Sequence, residues 1–312
     1  MNYNLMAANF PQIPASNLRL EHLAALELAL SNVLSTEPAF ETFAQVVDGI
    51  LTRDSYFEYY LPTLRPEYAR NLKPSDEASQ IVRAFHASFH VGMLNFRVDV
   101  AQTYQSTPLG SRSFKPRLIE LVSVACHNIA VELYTKADGG LRKPASPPPP
   151  PRTPSSYPLM RAPPPNITEL FHEEYEEWEQ YSNGVADIVR YWAEYRLFGD
   201  VILFDRGDTG QECKNAFIHS IKGRRIFQLS DQQIEQFPSF ATSQHQSDYS
   251  RSFDTRFRAE NDARRVDPFD SLAWGMYRDE YERKPPDPRQ RRCVFYAEDD
   301  PQLIDQIQKL AR

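Results

Sequence analysis

The 312 residues carry a formal net charge of −7, 41% hydrophobic residues and 25 prolines. That length has room for two hydrophobic cores. The acidic balance argues against general affinity for nucleic acid or anionic membranes, because both reward basic surfaces.

Taken in chain order, residues 16 to 137 read as helical. Ser16 stands where a helix cap is expected, ahead of Leu18, Leu20, Leu23, Leu26, Leu30, Val33 and Leu34. Thr36 restarts the chain, and Pro38 suits a first helical turn because its missing N–H has no partner to lose there. Phe40, Phe43, Val47, Ile50 and Leu51 then form an apolar face, followed by the aromatic segment Y-F-E-Y-Y-L from Tyr56. A long helix is predicted to start near Ser75, with Ile81, Val82, Phe85, Phe89, Met93 and Phe96 at helical spacing and a bend at Gly92. Another starts at Pro116 and ends before Gly139-Gly140. The expectation for residues 1–137 is an all-α domain of about five helices.

Residues 138–165 form the expected boundary. Half of residues 144 to 165 are proline, 11 of 22. Such a stretch lacks backbone donors and apolar bulk, so it reads as a disordered, polyproline-like linker.

Residues 166–312 read as an α+β domain with a small antiparallel sheet. Residues 167 to 181 are predicted to form an acidic helix, and 185 to 198 a second helix ended by Gly199. The continuous apolar run V-I-L-F from Val201 reads as a buried strand. Residues 213–219 and 225–229 add two strands, joined by a turn at Lys222-Gly223. Ser230 or Asp231 caps a short helix through Phe237. Residues 240–292 look weakly ordered, with F-D-S-L-A-W-G-M-Y, 269 to 277, as an island able to dock. The chain then reads as strand (293–297) and helix (from Pro301).

Residues 191 to 207, Y-W-A-E-Y-R-L-F-G-D-V-I-L-F-D-R-G, resemble a recurrent core of filamentous-fungal proteins of uncharacterised activity and about this size. The segment L-F-H-E-E-Y-E-E-W-E-Q-Y-S-N-G-V-A-D, from Leu170, is similar to them as well. The resemblance implies a fungal origin and transfers no catalytic residue.

Several short motifs carry chemistry on paper. Asp208-Thr209-Gly210 matches an aspartic-peptidase loop, but that chemistry needs two facing carboxylates and the chain holds one copy. Gly and Asp are also turn formers, so a turn is the reading adopted. Arg206-Gly207-Asp208 as an adhesion tripeptide needs extracellular display. Asp200 or Asp205 with Glu212 and Lys214 follows the order of a PD-(D/E)xK nuclease, whose carboxylates hold Mg²⁺ while the Lys positions water. His86 and His90 have the i, i+4 spacing of zinc ligands on one helix face, yet no Glu follows the first. They are read as partly buried, hydrogen-bonded histidines. Cys126 and His127 are neighbours on a helix and point about 100° apart, so no nucleophile–base pair is expected. The glutamates of 173 to 179 read as a solvated helix face. Pro147, Pro150 and Arg152 match an SH3-type ligand, in which a preformed polyproline helix presents prolines and a cation. Ser146-Pro147 and Thr153-Pro154 fit a proline-directed kinase.

Cys126, Cys213 and Cys293 lack CxxC spacing, which points to a reducing compartment rather than a disulfide framework. The N-terminal residues show no basic start and no apolar core of a secretory signal. Apolar runs elsewhere are expected to fall short of membrane-spanning length. The expectation is therefore a cytoplasmic or nuclear protein, not secreted and not membrane-bound. Its expected function is non-enzymatic binding of other proteins, without cofactor. The alternatives are a metal-dependent hydrolase centred on residues 200–214, using Mg²⁺, and an accessory role in fungal specialised metabolism.

Overall fold

Thr36 separates the first two helices as its spacing predicts. In the computed structural model, which describes residues 10–59, 66–143, 168–221, 225–243, 254–279 and 282–283, α1 spans Leu20–Leu34 and α2 spans Glu37–Asp48. The Thr36 hydroxyl accepts from the Ala39 N–H, and Pro38 sits in the first turn. Next come α3 (Arg53–Tyr59), α4 (Pro66–Ala69) and α5 (Asp76–Ser88). Ser75 caps α5 and is itself held by the buried Asp48, which accepts from the Ser75 N–H at 2.7 Å and hydroxyl at 2.6 Å. α6 (Val98–Ser106) and α7 (Phe114–Lys136) complete this half.

Three expectations for this half are corrected. Ser16 does not cap the first helix: it lies in a 3₁₀ turn at Ala15–Asn17, and α1 starts after Arg19 without a side-chain cap. The long helix does not run through Phe96. It stops at Ser88, Phe89 is extended, and residues 91–93 make a single 3₁₀ turn ahead of a strand. Nor is the half all helix, because β1 (Gln12–Pro14) pairs antiparallel with β2 (Asn95–Arg97). Ribbon pairing with a segment more than eighty residues away outweighs the local helical spacing of Met93 and Phe96.

After residue 168 the chain forms α8 (Val185–Phe198), β3 (Val201–Asp205), β4 (Ala216–His219), β5 (Ile226–Gln228), α9 (Asp231–Ala241), β6 (Arg265–Val266), α10 (Pro268–Ser271) and β7 (Met276–Tyr277). The sheet order is β6-β5-β4-β3-β7 with antiparallel neighbours. Gly199 ends α8 at φ 90°, where a Cβ would overlap the Phe257 carbonyl oxygen. Ser230 forms a capping box with Gln233 at the start of α9. Mixed α and β structure is thus in place: helices, the β1-β2 ribbon and a curled five-stranded antiparallel sheet. Within 240–292, the described residues 254–279 supply two edge strands of that sheet.

The acidic helix at 167–181 is not formed. Among the described residues of that stretch, regular structure is limited to a 3₁₀ turn at Trp178–Gln180. Glu173, Glu174, Glu176 and Glu177 would crowd like charges onto one helix. Burial and those neighbours raise the Glu176 carboxyl to about 7. The segment instead inserts Phe171, Tyr175 and Tyr181 into a core, with Tyr175 stacked on Tyr191 at 4.4 Å.

Why V-I-L-F is continuously apolar is now clear. Ile202 and Phe204 face one hydrophobic cluster, while Val201 and Leu203 face a second. Both faces of β3 are covered, so the usual alternation disappears. The larger cluster draws on both halves of the chain, from Leu26, Phe43 and Leu121 to Trp192, Phe198 and Ile218. Asn32 on α1 ties them further, donating to the carbonyls of Ala241 at 2.8 Å and Ser243 at 2.9 Å. α7 is long and apolar enough to cross a membrane, contrary to the expectation that no segment reaches that length. In this fold it packs along α8, and 67% of its most apolar window is buried. The Lys222-Gly223 turn, residues 144 to 165, and the strand and helix expected after residue 292 lie outside the described residues.

Candidate functional site

The nuclease-like residues fall around the two ends of β3. Asp200 precedes the strand and its carboxylate accepts from the Ile221 N–H at 2.9 Å. Asp205 ends the strand, roughly 16 Å away at an ordinary strand rise. Asp200 is therefore not brought to Glu212 and Lys214. The Asp205 carboxylate accepts from the Gly207 N–H at 3.0 Å, opening the turn of residues 207–210 that contains Asp208. Glu212 and Lys214 lie in the loop before β4 and form an ion pair at 2.9 Å. The Glu-x-Lys pair thus stands outside the strand that nuclease chemistry expects to carry it. Gly207, at φ 57°, lets the Glu212 carboxylate approach where a Cβ would collide with it.

Asp205, Asp208 and Lys214 do share one surface hollow of about 570 Å³ with Leu272, Trp274 and Tyr277. Trp274 is 54% exposed there. Among the described residues, no group of three or more His, Cys, Asp or Glu is placed to hold a metal ion.

His86 and His90 are not on one helix face, because α5 ends between them. They nevertheless line a common hollow with Glu27, Ser31 and Phe89. Burial lowers the basicity of His86, and its Nε2 is buried without a hydrogen-bond partner, so the expected bonded histidine is not found. Pro147, Pro150 and Arg152 lie outside the described residues.

A second site was not legible in the sequence. A cleft of about 200 Å³ lies between β2, α7, α8 and the segment after β7. Behind it runs a buried ionic network. Glu194 on α8 accepts from Arg278 Nη1 at 2.8 Å on both carboxylate oxygens, from His127 Nε2 on α7, and from the Ile202 N–H at 2.9 Å. Glu120 on α7 is paired with Arg117 and with Arg206, each at 2.8 Å. Asp187 accepts from Asn183 and is ion-paired with Arg190 Nη1 at 3.1 Å.

These pairings set the protonation states. Burial works against the Glu194 charge, but Arg278 and then His127 outweigh it and hold the carboxyl at about 2. Burial, aided by Arg278, pushes His127 down to about 3. The imidazole is therefore neutral near pH 7 and donates its Nε2–H to Glu194. Cys126, one residue before, points into the core instead, and burial raises its thiol. The signal that could have found the network is a charged residue inside an apolar run, as in L-I-E-L-V at Glu120 and Y-W-A-E-Y at Glu194.

No protein-family model, no curated protein and no solved structure matches this chain.

Proposed function

We propose that the chain is a non-enzymatic protein that binds other proteins, and that a partner seats in the hollow at the end of β3. The observation that carries this reading is Trp274, a large aromatic side chain 54% exposed beside Leu272 and Tyr277. Buried Trp and Tyr anchors ringed by polar groups dominate binding energy at protein interfaces. Asp205 and Asp208 line the hollow against Lys214, the one cation among the described residues there, and Glu212 already pairs with that lysine. The excess of carboxylate favours a partner segment that places a Lys or Arg beside an apolar side chain. A comparative pull-down tests it: Trp274→Ala is expected to lose proteins that the full-length wild type retains. Retention of the same set by both chains, or of nothing by the wild type, overturns the reading.

One observation favours a second reading, a metal-dependent hydrolase. Asp205 and Lys214 border the same hollow, and Glu212 is paired to that lysine. Saturable stabilisation by Mg²⁺ or Mn²⁺ that disappears in Asp205→Asn would support it, and its absence would remove it.

A further inference from the structure

We infer that the cleft between the two halves is a binding site for a small oxyanion, a carboxylate or phosphate carried by a small molecule. The site is distinct from the hollow at β3 and independent of partner binding there.

The carboxylates in and behind the cleft are already paired. Both Glu194 oxygens are taken by Arg278, His127 and the Ile202 N–H. Asp187 accepts from Asn183 and is ion-paired with Arg190; Glu120 Oε2 accepts from Arg117, while its Oε1 makes no hydrogen bond and is ion-paired with Arg206 at 2.8 Å. The other two carboxylates of the lining are engaged as well: Asp279 pairs with Arg97 at 3.5 Å, and Glu282 accepts from the Arg278 N–H at 3.2 Å and the Asp279 N–H at 3.4 Å.

The donors are not. Arg278 uses only Nη1 on Glu194, which leaves Nε–H and Nη2 without a partner among the described residues. Arg190 uses Nη1 on Asp187 and Nη2, at 3.4 Å, on the Tyr191 hydroxyl, while its Nε is buried with no partner. That hydroxyl accepts from Arg190 and, among the described residues, donates to nothing. Arg278, Arg190 and Tyr191 all line the same cavity.

Surplus donors on two guanidinium groups and one hydroxyl, in a cleft whose carboxylates are already engaged, call for an acceptor-rich anion. The free Nε/Nη2 edge of a guanidinium matches two oxygens of a carboxylate or phosphate in a bidentate pair. The scaffold is prearranged for this. Glu194 fixes the opposite edge of Arg278, and the Arg278 guanidinium lies over the Tyr191 ring, 5.5 Å from its centroid. A volume of about 200 Å³ equals roughly seven waters, which suits inorganic phosphate or a short dicarboxylate.

The test is isothermal titration of the full chain with inorganic phosphate and, separately, with succinate, at an ionic strength held constant with chloride. Saturable binding of at least one anion is expected, and whichever binds identifies the headgroup chemistry. Arg190→Gln should abolish it. Tyr191→Phe, which removes one hydroxyl from a buried ring, should weaken it about tenfold, the weight of one hydrogen bond to a charged ligand. The phenylalanine variant also keeps the test open if the glutamine variant fails to fold. Trp274→Ala should bind the anion like the wild type, which separates this site from the partner-binding hollow. Failure of both anions to bind beyond chloride overturns the inference, as does wild-type affinity in both cleft variants.

Discussion

Removing Glu194 should strip the centre of the molecule of its charge balance. The side chain is fully buried, and it holds Arg278 through two contacts at 2.8 Å, His127, and the Ile202 N–H at the start of β3. Glu194→Ala leaves a buried guanidinium without its counter-charge, a loss of about 3–5 kcal/mol for breaking a buried pair. The orphaned Ile202 N–H adds a further penalty of about 1–3 kcal/mol where water cannot reach it. Urea denaturation followed by circular dichroism measures the sum. With an m-value of about 3 kcal/mol/M, the upper end of the usual range, the midpoint should fall by at least roughly 1 M. The charge argument also predicts partial rescue. Glu194→Leu with Arg278→Met removes both charges at similar volume and should recover more than half of the loss. A loss below about 1 kcal/mol for Glu194→Ala, or a double variant as unstable as the sum of its single changes, would refute the reasoning.

Acid should destabilise the fold in two stages. His127 is held neutral at about 3, below its ordinary value of 6.5, so the unfolded chain binds more protons across that interval. Its contribution is complete above pH 6.5 and declines as the pH falls towards 3. Glu194, held at about 2 against an ordinary 4.5, adds a second loss between those values. Thermal melts from pH 8 to pH 3 should therefore show stability falling below pH 6.5, and His127→Gln should flatten the upper part of that slope. Gly199→Ala should cost more than about 1 kcal/mol, because the position needs φ 90° and a Cβ would meet the Phe257 carbonyl; differential scanning calorimetry reads it as a lowered Tm. Trp274→Ala, by contrast, should leave stability within about 0.5 kcal/mol in the same measurement, since the ring is largely exposed.

Where local chemistry decides structure, the amino-acid sequence was sufficient. Thr36, Ser75 and Ser230 cap helices because a hydroxyl accepts from an N–H three residues on, a relation contained in four residues. Gly199 ends α8, and V-I-L-F is a strand, for equally local reasons. The turn at Asp208 also followed from its own glycines. Local pattern misled where distant contacts compete with it. The spacing of Phe85, Phe89, Met93 and Phe96 suits one helix, but β1 takes residues 95–97 as a strand and so parts His90 from the helix of His86. Residues 167 to 181 have the apolar spacing of a helix, yet packing of Tyr175 and Tyr181 against Tyr191 decides their path.

The cleft belongs wholly to the tertiary structure. Its residues stand at positions 127, 187 to 194 and 278; helical spacing puts 187, 190, 191 and 194 on one face of α8, but nothing in the sequence joins that face to 127 or 278. Glu194 and Arg278 are 84 residues apart in the chain and 2.8 Å apart in space. Sequence alone could mark each as a charge set among apolar neighbours. Only the packing of α7 along α8, with the segment after β7 beside them, brings the charges together and leaves donors unpaired beside a cavity, because burial forces opposite charges to pair while the shape of the cleft determines which hydrogen bonds remain unmade.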